Sequence, residues 1–434
     1  MSDPVTRREF VRRTTAALGV AATAASARRV HGANERIRAG FIGVGNRGGQ
    51  LIDAAREHKD LDIVAVCDVY QPYLDKWTRA LGAGTAAYRD FRDLLDRDDI
   101  DAVFIATPDH WHALQTIIAC DAGKDVYVEK PLSLTVLEGQ RMIEAARRNA
   151  AVVQVGLQRR ASTMSAELAE RIARGEFGKI TVVRAYRLTN MSPAGIGISP
   201  NQEPPAGLDW DMWLGPRPKR PFNPTIHPYK FRWWQAYSSQ LGNWGVHYFD
   251  LLRWLIGEQA PASVSAHGGK FAVADSRTIP DTLHAIYEFA AGCLMLFGQY
   301  EASGNPIFAR DAEVELRGTL ATIYATTDRY EVVPESAGQY GDPAPLPEAE
   351  TVRTRDGDLT VKHIGDFLDC MRSRRRPSAD VEEGHLSTVF SHLGNIALAT
   401  RSRIEWDAAR ERAIGNEPAN RLLHYPYRKP WKLT

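Results

Sequence analysis

The feature that most constrains this chain is an apolar strand running straight into a glycine-rich turn and then a helix. Ile37 to Gly48 reads Ile-Arg-Ala-Gly-Phe-Ile-Gly-Val-Gly-Asn-Arg-Gly, and Gly43-x-Gly45-x-x-Gly48 leads into a helical pattern from Gly49 to Glu57. The first glycine allows the tight turn, the second lets the backbone approach a pyrophosphate, and the third lets helix and strand pack closely. Free N–H groups at the helix N-terminus, beside Asn46 and Arg47, then receive the phosphates. A second strand, Asp62 to Cys67, ends at Asp68. A carboxylate at that spacing accepts hydrogen bonds from the adenosine ribose hydroxyls and disfavours the extra phosphate of NADP. The expected cofactor is therefore NAD rather than NADP.

Upstream, Thr6-Arg7-Arg8-Glu9-Phe10-Val11-Arg12 precedes a small, weakly apolar run from Thr14 to Ala27 that offers Ala25-Ser26-Ala27 as a cleavage site. This resembles a twin-arginine export signal. It predicts a signal and linker over residues 1–35, passage through the twin-arginine translocase, and a periplasmic or otherwise exported location. That route carries folded proteins, which suits a chain that must capture its nucleotide in the cytoplasm. The run is too short and too alanine-rich to span a bilayer, and no other stretch reaches the required length.

With 434 residues the chain has room for two domains with substantial cores. Its net charge of +1 gives no drive toward nucleic acid or an anionic membrane. The basic run Arg372, Arg374, Arg375, Arg376 before Pro377 reads as a helix C-terminus, where cations meet the negative end of the dipole. Cys67, Cys120, Cys293 and Cys370 are far apart and lack paired ligand spacing, so no metal site is expected. Cys67 and Cys120 read as small buried residues.

Strand and helix then alternate as a doubly wound sheet requires. Ile63 to Val66, Ala102 to Ala106, Val126 to Val128 and Val152 to Val155 read as parallel strands, with helical periods at Tyr73 to Ala80, Phe91 to Asp96, His112 to Ala122 and Val136 to Arg148. After Gly156 the pattern changes. Ile180 to Leu188, Ser263 to Gly268, Thr282 to Phe289 and Leu294 to Tyr300 are longer and rich in β-branched and aromatic residues, as in antiparallel sheets. Helical segments return at Lys362 to Ser373 and Gly384 to Thr400. The expected fold is α/β: an N-terminal Rossmann doubly wound parallel sheet over residues 36–157, then a C-terminal α/β domain with a large, mostly antiparallel open sheet over residues 158–434.

Residues able to perform chemistry gather where parallel strands end, the usual ligand side of such sheets. One group is Thr107-Pro108-Asp109-His110-Trp111-His112; the other is Glu129-Lys130-Pro131. A lysine there can hold a substrate hydroxyl and stabilise a developing alkoxide. Thr107, Pro108, His110, His112, Glu129 and Lys130 are expected to border the cofactor, with both histidines near the nicotinamide.

These motifs, with Gly242-Asn243-Trp244-Gly245-Val246-His247 and Asp250, resemble the Gfo/Idh/MocA oxidoreductases, the group of glucose-fructose oxidoreductase and inositol dehydrogenase. The tail Ala419 to Leu423 and Tyr427-Arg428-Lys429-Pro430-Trp431 looks like that of its exported branch. The resemblance implies a Rossmann domain, an open-sheet domain that often mediates homo-oligomers, and a sugar or polyol facing the nicotinamide. It implies Lys130 as the pocket lysine and His247 as the acid/base. The chain departs from the pattern at Asn243, where relatives usually carry aspartate. Asparagine can orient but supplies no charge, so proton abstraction could pass to Tyr248 or Tyr186.

Around His247 the sequence places an aromatic belt of Trp210, Trp213, Tyr229, Phe231, Trp233, Trp234 and Trp244, interleaved with Lys230 and Arg232. Rings with cationic donors suit sugars, and equally suit domain packing or an oligomer interface. The expected substrate contacts are Lys130, Arg159, Tyr229, Lys230, Arg232, Trp233, Asn243 and His247. Three readings remain open: an NAD-dependent oxidoreductase with a tightly held, recycling cofactor; a redox-neutral NAD-dependent glycoside hydrolase acting through a keto-sugar and elimination; and a noncatalytic sugar-binding protein.

Overall fold

The computed structural model describes residues 36–433, apart from 337, 339 and 342–344. The twin-arginine segment lies outside the described residues. Among those described, strands β1 (Ile37–Ile42), β2 (Leu61–Cys67), β3 (Ala86–Tyr88), β4 (Ala102–Ile105), β5 (Asp125–Val128) and β6 (Val153–Val155) form one parallel sheet ordered β3-β2-β1-β4-β5-β6. Every residue of β4, β5 and β6 is buried, which explains why they are apolar apart from Asp125 and Gln154. β3 is a three-residue edge strand that the sequence reading did not identify; it is too short to show alternation.

The order reverses between β1 and β4, and that switch opens a crevice beyond the strand ends. Its floor is tight. Gly43 has φ +82°, and a Cβ there would lie 2.7 Å from the Thr107 backbone nitrogen. On Gly48, at the start of the helix Asn46–Ala55, a Cβ would lie 1.9 Å from the Gly43 carbonyl oxygen. Only glycine lets the helix sit this close to the turn.

The second sheet contains β7 (Ile180–Asn190), β8 (Ser263–Gly269), β9 (Thr282–Phe289), β10 (Cys293–Tyr300), the two-residue β11 (Ala302–Ser303), β12 (Val314–Gly318), β13 (Ala321–Ala325), β14 (Arg329–Pro334), β15 (Glu350–Arg353), β16 (Ile404–Asp407) and β17 (Arg412–Ala413). Their order is β15-β14-β13-β12-β7-β10-β9-β8-β16-β17, with β11 beside β7. Pairing is antiparallel except between β7 and β10. Helices Val246–Ile256 and Val381–Thr400 cover one face, where Phe249, Tyr287, Phe297 and Phe390 pack ring on ring.

One segment crosses the expected division. The helix Leu359–Ser373 lies far along the chain, yet Ile364, Phe367, Leu368 and Met371 complete the core around Phe41 and Phe104 of the first sheet. The Phe367 ring meets Phe104 edge-on at 5.7 Å. The basic run after this helix is tied down: Arg374 sits in the left-handed region at φ 57° and pairs with Asp125, while Arg375 pairs with Asp366. All four cysteines are buried, and none forms a disulfide. No helix among the described residues is long and apolar enough to cross a membrane.

Candidate active site

The crevice at the switch point has the features a dinucleotide requires. Gly43, Gly45, Asn46, Asp68, Thr107 and Pro108 line one side of a groove of about 130 Å³. Asp68 accepts the Val44 N–H through Oδ2 and the Tyr70 N–H through Oδ1, each at 2.9 Å. Burial pushes its carboxyl up to about 6, and these N–H groups hold it from going higher. Arg47 donates through Nε to Glu129 at 2.6 Å, while its Nη2 is buried without a protein partner. A buried guanidinium donor at a helix N-terminus suits a pyrophosphate oxygen.

The far side of the groove comes from the second half of the chain. Trp213, His227, Tyr229, Phe231 and Arg232 form a roof over it. Trp210, Trp213, Phe222, Phe231, Trp234 and Tyr237 pack into a core of their own that stiffens this roof. The aromatic belt is therefore mainly a packed lid over the nucleotide groove, and of its rings Tyr229 and Trp244 line the neighbouring reaction cavity.

That cavity, about 270 Å³, joins Asn46, Arg47 and Thr107 of the nucleotide side to Glu129, Lys130, Asn243, Trp244 and His247. Lys130 and His247, 117 positions apart by their numbers, line the same space. A turn of π-helix, Leu241–Gly245, leads into the helix that carries His247 near its start. From this turn the Asn243 carbonyl oxygen accepts from Lys130 Nζ at 2.6 Å, and Asn243 Oδ1 accepts from it at 3.2 Å.

Electrostatics distinguish the two groups. Burial lowers the Lys130 ammonium to about 8, against the pull of Glu129 and Asp109. His247 is held well below its ordinary value by burial and then by the cations of Lys130, Arg159 and Arg47. At neutral pH the site thus presents an ammonium donor and a neutral imidazole acceptor. Glu129 is raised by burial but more strongly lowered by Arg47 and Lys130, so it stays a carboxylate.

The remaining expected residues divide. Tyr229 and Arg232 line both cavities, with the Arg232 guanidinium 4.0 Å from the Tyr229 ring centroid. Arg159 forms an ion pair with Glu313 and stacks over Tyr248, contributing its charge to His247 from outside the cavity lining. Lys230 is turned away, with Nζ donating to the Ile196 carbonyl at 2.8 Å. Trp233 donates to Glu301 at 2.9 Å and lines neither space.

The histidines expected at the nicotinamide are structural in place. His110 is fully buried against the Trp213 carbonyl oxygen at 2.9 Å, and burial depresses it to about 3. His112 ties two loops together, its Nδ1 2.7 Å from Pro131 O and its Nε2 2.9 Å from Thr107 O. Their loop borders the cofactor groove through Thr107 and Pro108, but both rings turn into the protein. Tyr248 is buried under Arg159, and Tyr186 packs against Tyr300 and Phe308 on the second sheet; neither lines the reaction cavity.

Sequence reasoning missed Gln50, Gln158 and Arg89. Gln158 lies just beyond β6 and lines the reaction cavity, so the strand-end rule that found Lys130 would have found it. Arg89 follows β3, the strand that was missed, and lines the nucleotide groove.

Residues 37–157 match the family described as "Oxidoreductase family, NAD-binding Rossmann fold", and residues 190–433 match its C-terminal alpha/beta domain. Glycosyl hydrolase family 109 protein 1 of Shewanella sp. strain ANA-3 is 36% identical over 122 residues, 26% of this chain and 27% of that protein. An alpha-N-acetylgalactosaminidase of Shewanella oneidensis is 37% identical over 122 residues, with the same coverage of 26% and 27%. The match thus spans about a quarter of the length of these curated relatives. Among solved structures, levoglucosan dehydrogenase in complex with NADH and levoglucosan superposes with a TM-score of 0.65 at 20% identity, covering 86% of this chain and 99% of that one. The WlbA dehydrogenase from Bordetella pertussis, in complex with NADH and UDP-GlcNAcA, gives 0.63 at 20% identity, with coverage of 86% and 99%. These likenesses show a shared fold. With both halves matched over most of its length, the chain belongs to the Gfo/Idh/MocA oxidoreductase family and carries that family's NAD-binding Rossmann domain.

Proposed function

We propose that this protein removes hydride from a secondary hydroxyl carbon of a sugar, polyol or glycoside. The observation that carries this reading is the meeting of Lys130, His247 and Trp244 in one cavity with Asn46, Arg47 and Thr107 of the nucleotide turn. Bound NAD supplies the hydride acceptor. Neutral His247 takes the hydroxyl proton, and Lys130 holds the oxygen as negative charge builds on it. Asn243 aims the Lys130 ammonium without neutralising it.

The proposal extends to cofactor retention. The roof of Trp213, His227, Tyr229 and Phe231 supports slow release of a nucleotide from the groove beneath it. An exported enzyme, as the Arg7-Arg8 segment suggests, has no ready supply of soluble nicotinamide and would stop after one turnover with a dissociating cofactor. Retention permits a closed cycle, with one substrate oxidised and a second acceptor reduced.

The similarity to proteins named glycosyl hydrolase family 109 protein 1 and alpha-N-acetylgalactosaminidase favours a second use of the same cycle. Oxidation of a ring hydroxyl gives a ketone, which acidifies the neighbouring C–H. Loss of that proton expels the aglycone, water adds, and the returned hydride restores the alcohol, leaving no net redox change.

Mass spectrometry of purified protein tests for retained nucleotide. A panel of glycosides and polyols, read by nicotinamide absorbance and by product release, separates the two reactions. Protein that arrives empty and works only with millimolar added cofactor overturns retention. Full function in Lys130→Ala and His247→Ala overturns catalysis and leaves the sugar-binding reading.

A further inference from the structure

Behind the reaction cavity lies a second, larger one of about 500 Å³. Its wall on the reaction side is made by Asp109, Pro131 and Gly242; Pro131 and Gly242 adjoin Lys130 and Asn243 in sequence, and Asp109 lines both spaces. Its other walls come from the Arg217 to Arg220 loop, the helix Val381–Thr400 and the C-terminal tail at Tyr425. Nothing in the proposed hydride chemistry uses it.

Its distinctive chemistry is cationic. The Arg217 guanidinium lies 3.7 Å from the Tyr425 ring centroid, and that of Arg220 lies 4.3 Å from Trp234. Neither arginine forms an ion pair with a carboxylate among the described residues. Stacking occupies the flat faces of a guanidinium and leaves its in-plane N–H edges for a planar or tetrahedral anion. Among the described residues Asp109 is the one acid in the lining; its Oδ2 accepts from Ser238 at 2.5 Å, so it is already engaged. Glu138 stands behind the tail, bonded to the Tyr425 and Tyr427 hydroxyls, and faces Arg217 from outside the cavity. His392 is neutral at ordinary pH because burial depresses it to about 3.

We propose that this second cavity is a binding site for a small anion, of the carboxylate, sulfate or phosphate class carried by acidic saccharides, held by Arg217 and Arg220. Trp234 and Tyr425 place aromatic surface beside the charges, which suits an anion attached to a sugar ring better than a bare ion.

The test is thermal unfolding and calorimetric titration of the full chain, with its nucleotide, against D-glucuronate, inorganic sulfate, inorganic phosphate and neutral D-glucose. Expected is saturable stabilisation by glucuronate that exceeds the effect of either inorganic ion, with glucose inactive. The response is expected to fall at least tenfold in affinity in Arg217→Gln and Arg220→Gln, and to persist in Lys130→Met, whose reaction cavity is altered. If a glutamine variant fails to fold, Arg220→Lys keeps the charge and loses the forked geometry, and a clear weakening is still expected. Stronger binding of sulfate or phosphate than of glucuronate would replace the saccharide assignment by a simple oxyanion site. Unchanged binding in both arginine variants, or no binding of any anion at millimolar concentration, overturns the proposal.

Discussion

Lys130 Nζ donates to both oxygens of Asn243, the backbone carbonyl at 2.6 Å and the side-chain Oδ1 at 3.2 Å. The partner is neutral, a side-chain amide and a backbone carbonyl. Burial therefore dominates, and the ammonium falls to about 8. The acting form is the ammonium, so activity should decline as pH rises through that value. In Asn243→Asp a carboxylate replaces Oδ1, favours the charged lysine and moves the alkaline limb of kcat/KM upward by about one pH unit or more. A limb that stays in place would assign it to another group.

His247 sets the other side of the profile. Burial and the nearby cations keep its imidazole neutral well below the usual histidine range. No acid limb from this residue is expected between pH 6 and 8. His247→Gln preserves polarity but removes the base, and should lower kcat by about 10²- to 10⁴-fold. Retained nucleotide, measured by mass spectrometry, should be unchanged.

The buried Arg47–Glu129 pair makes a stability prediction with a change of sign. In the native protein Glu129 lies below its ordinary value, so its contribution is present at neutral pH and is lost as pH falls through its folded value. Arg47→Met removes the main compensating charge and leaves a carboxylate that is 4% exposed. The cost should be about 3 kcal/mol at neutral pH. Burial then raises Glu129, so the variant should recover stability on acidification. Urea unfolding at pH 5 and pH 8 checks this, with the gap to the native protein wider at pH 8.

Gly48→Ala tests the turn. The added Cβ would lie 1.9 Å from the Gly43 carbonyl oxygen and 2.9 Å from its carbonyl carbon, and both are backbone atoms that cannot swing aside as a flexible side chain could. Overpacking of this kind costs about 1–3 kcal/mol, and the displaced helix N-terminus should abolish nucleotide retention. Gly82→Ala, where a Cβ meets nothing within 4 Å but φ is +94°, is a control that carries backbone strain alone.

Most of the first sheet was legible: Gly43, Gly45 and Gly48 follow an apolar strand at dinucleotide spacing, and β4 and the Val126 to Val128 part of β5 are apolar runs, whereas the short edge strand β3 left no signal. The second sheet was legible only where strands were long, as in β9 and β10. β12 to β15 run only four to six residues each, too short for alternation to stand out from the surrounding sequence. Lys130 was found because its position follows from strand order, and His247 through resemblance. The histidines at 110 and 112 misled because sequence locates a loop but not the direction of its rings. The helix Leu359–Ser373 could not be assigned to the first core, since its amphipathic face fits any apolar partner.

Cofactor choice turns on Asp68 and Arg89, which line the groove together. The Asp68 oxygens already hold the Val44 and Tyr70 N–H groups, so the carboxylate is fixed in place and would repel a phosphate on the adjoining ribose hydroxyl. Arg89 is tied through Nη1 to the Gly207 carbonyl at 2.8 Å and also pulls the Asp68 carboxyl downward. In Asp68→Asn one of the two N–H groups keeps its acceptor, the negative charge is gone, and Arg89 is left as the local charge. Selectivity for NAD over NADP should then fall by about tenfold, a change of roughly 1.4 kcal/mol. Fluorescence titration of nucleotide-free protein with NADH and NADPH measures it. An unchanged ratio would mean that the acid does not face the ribose.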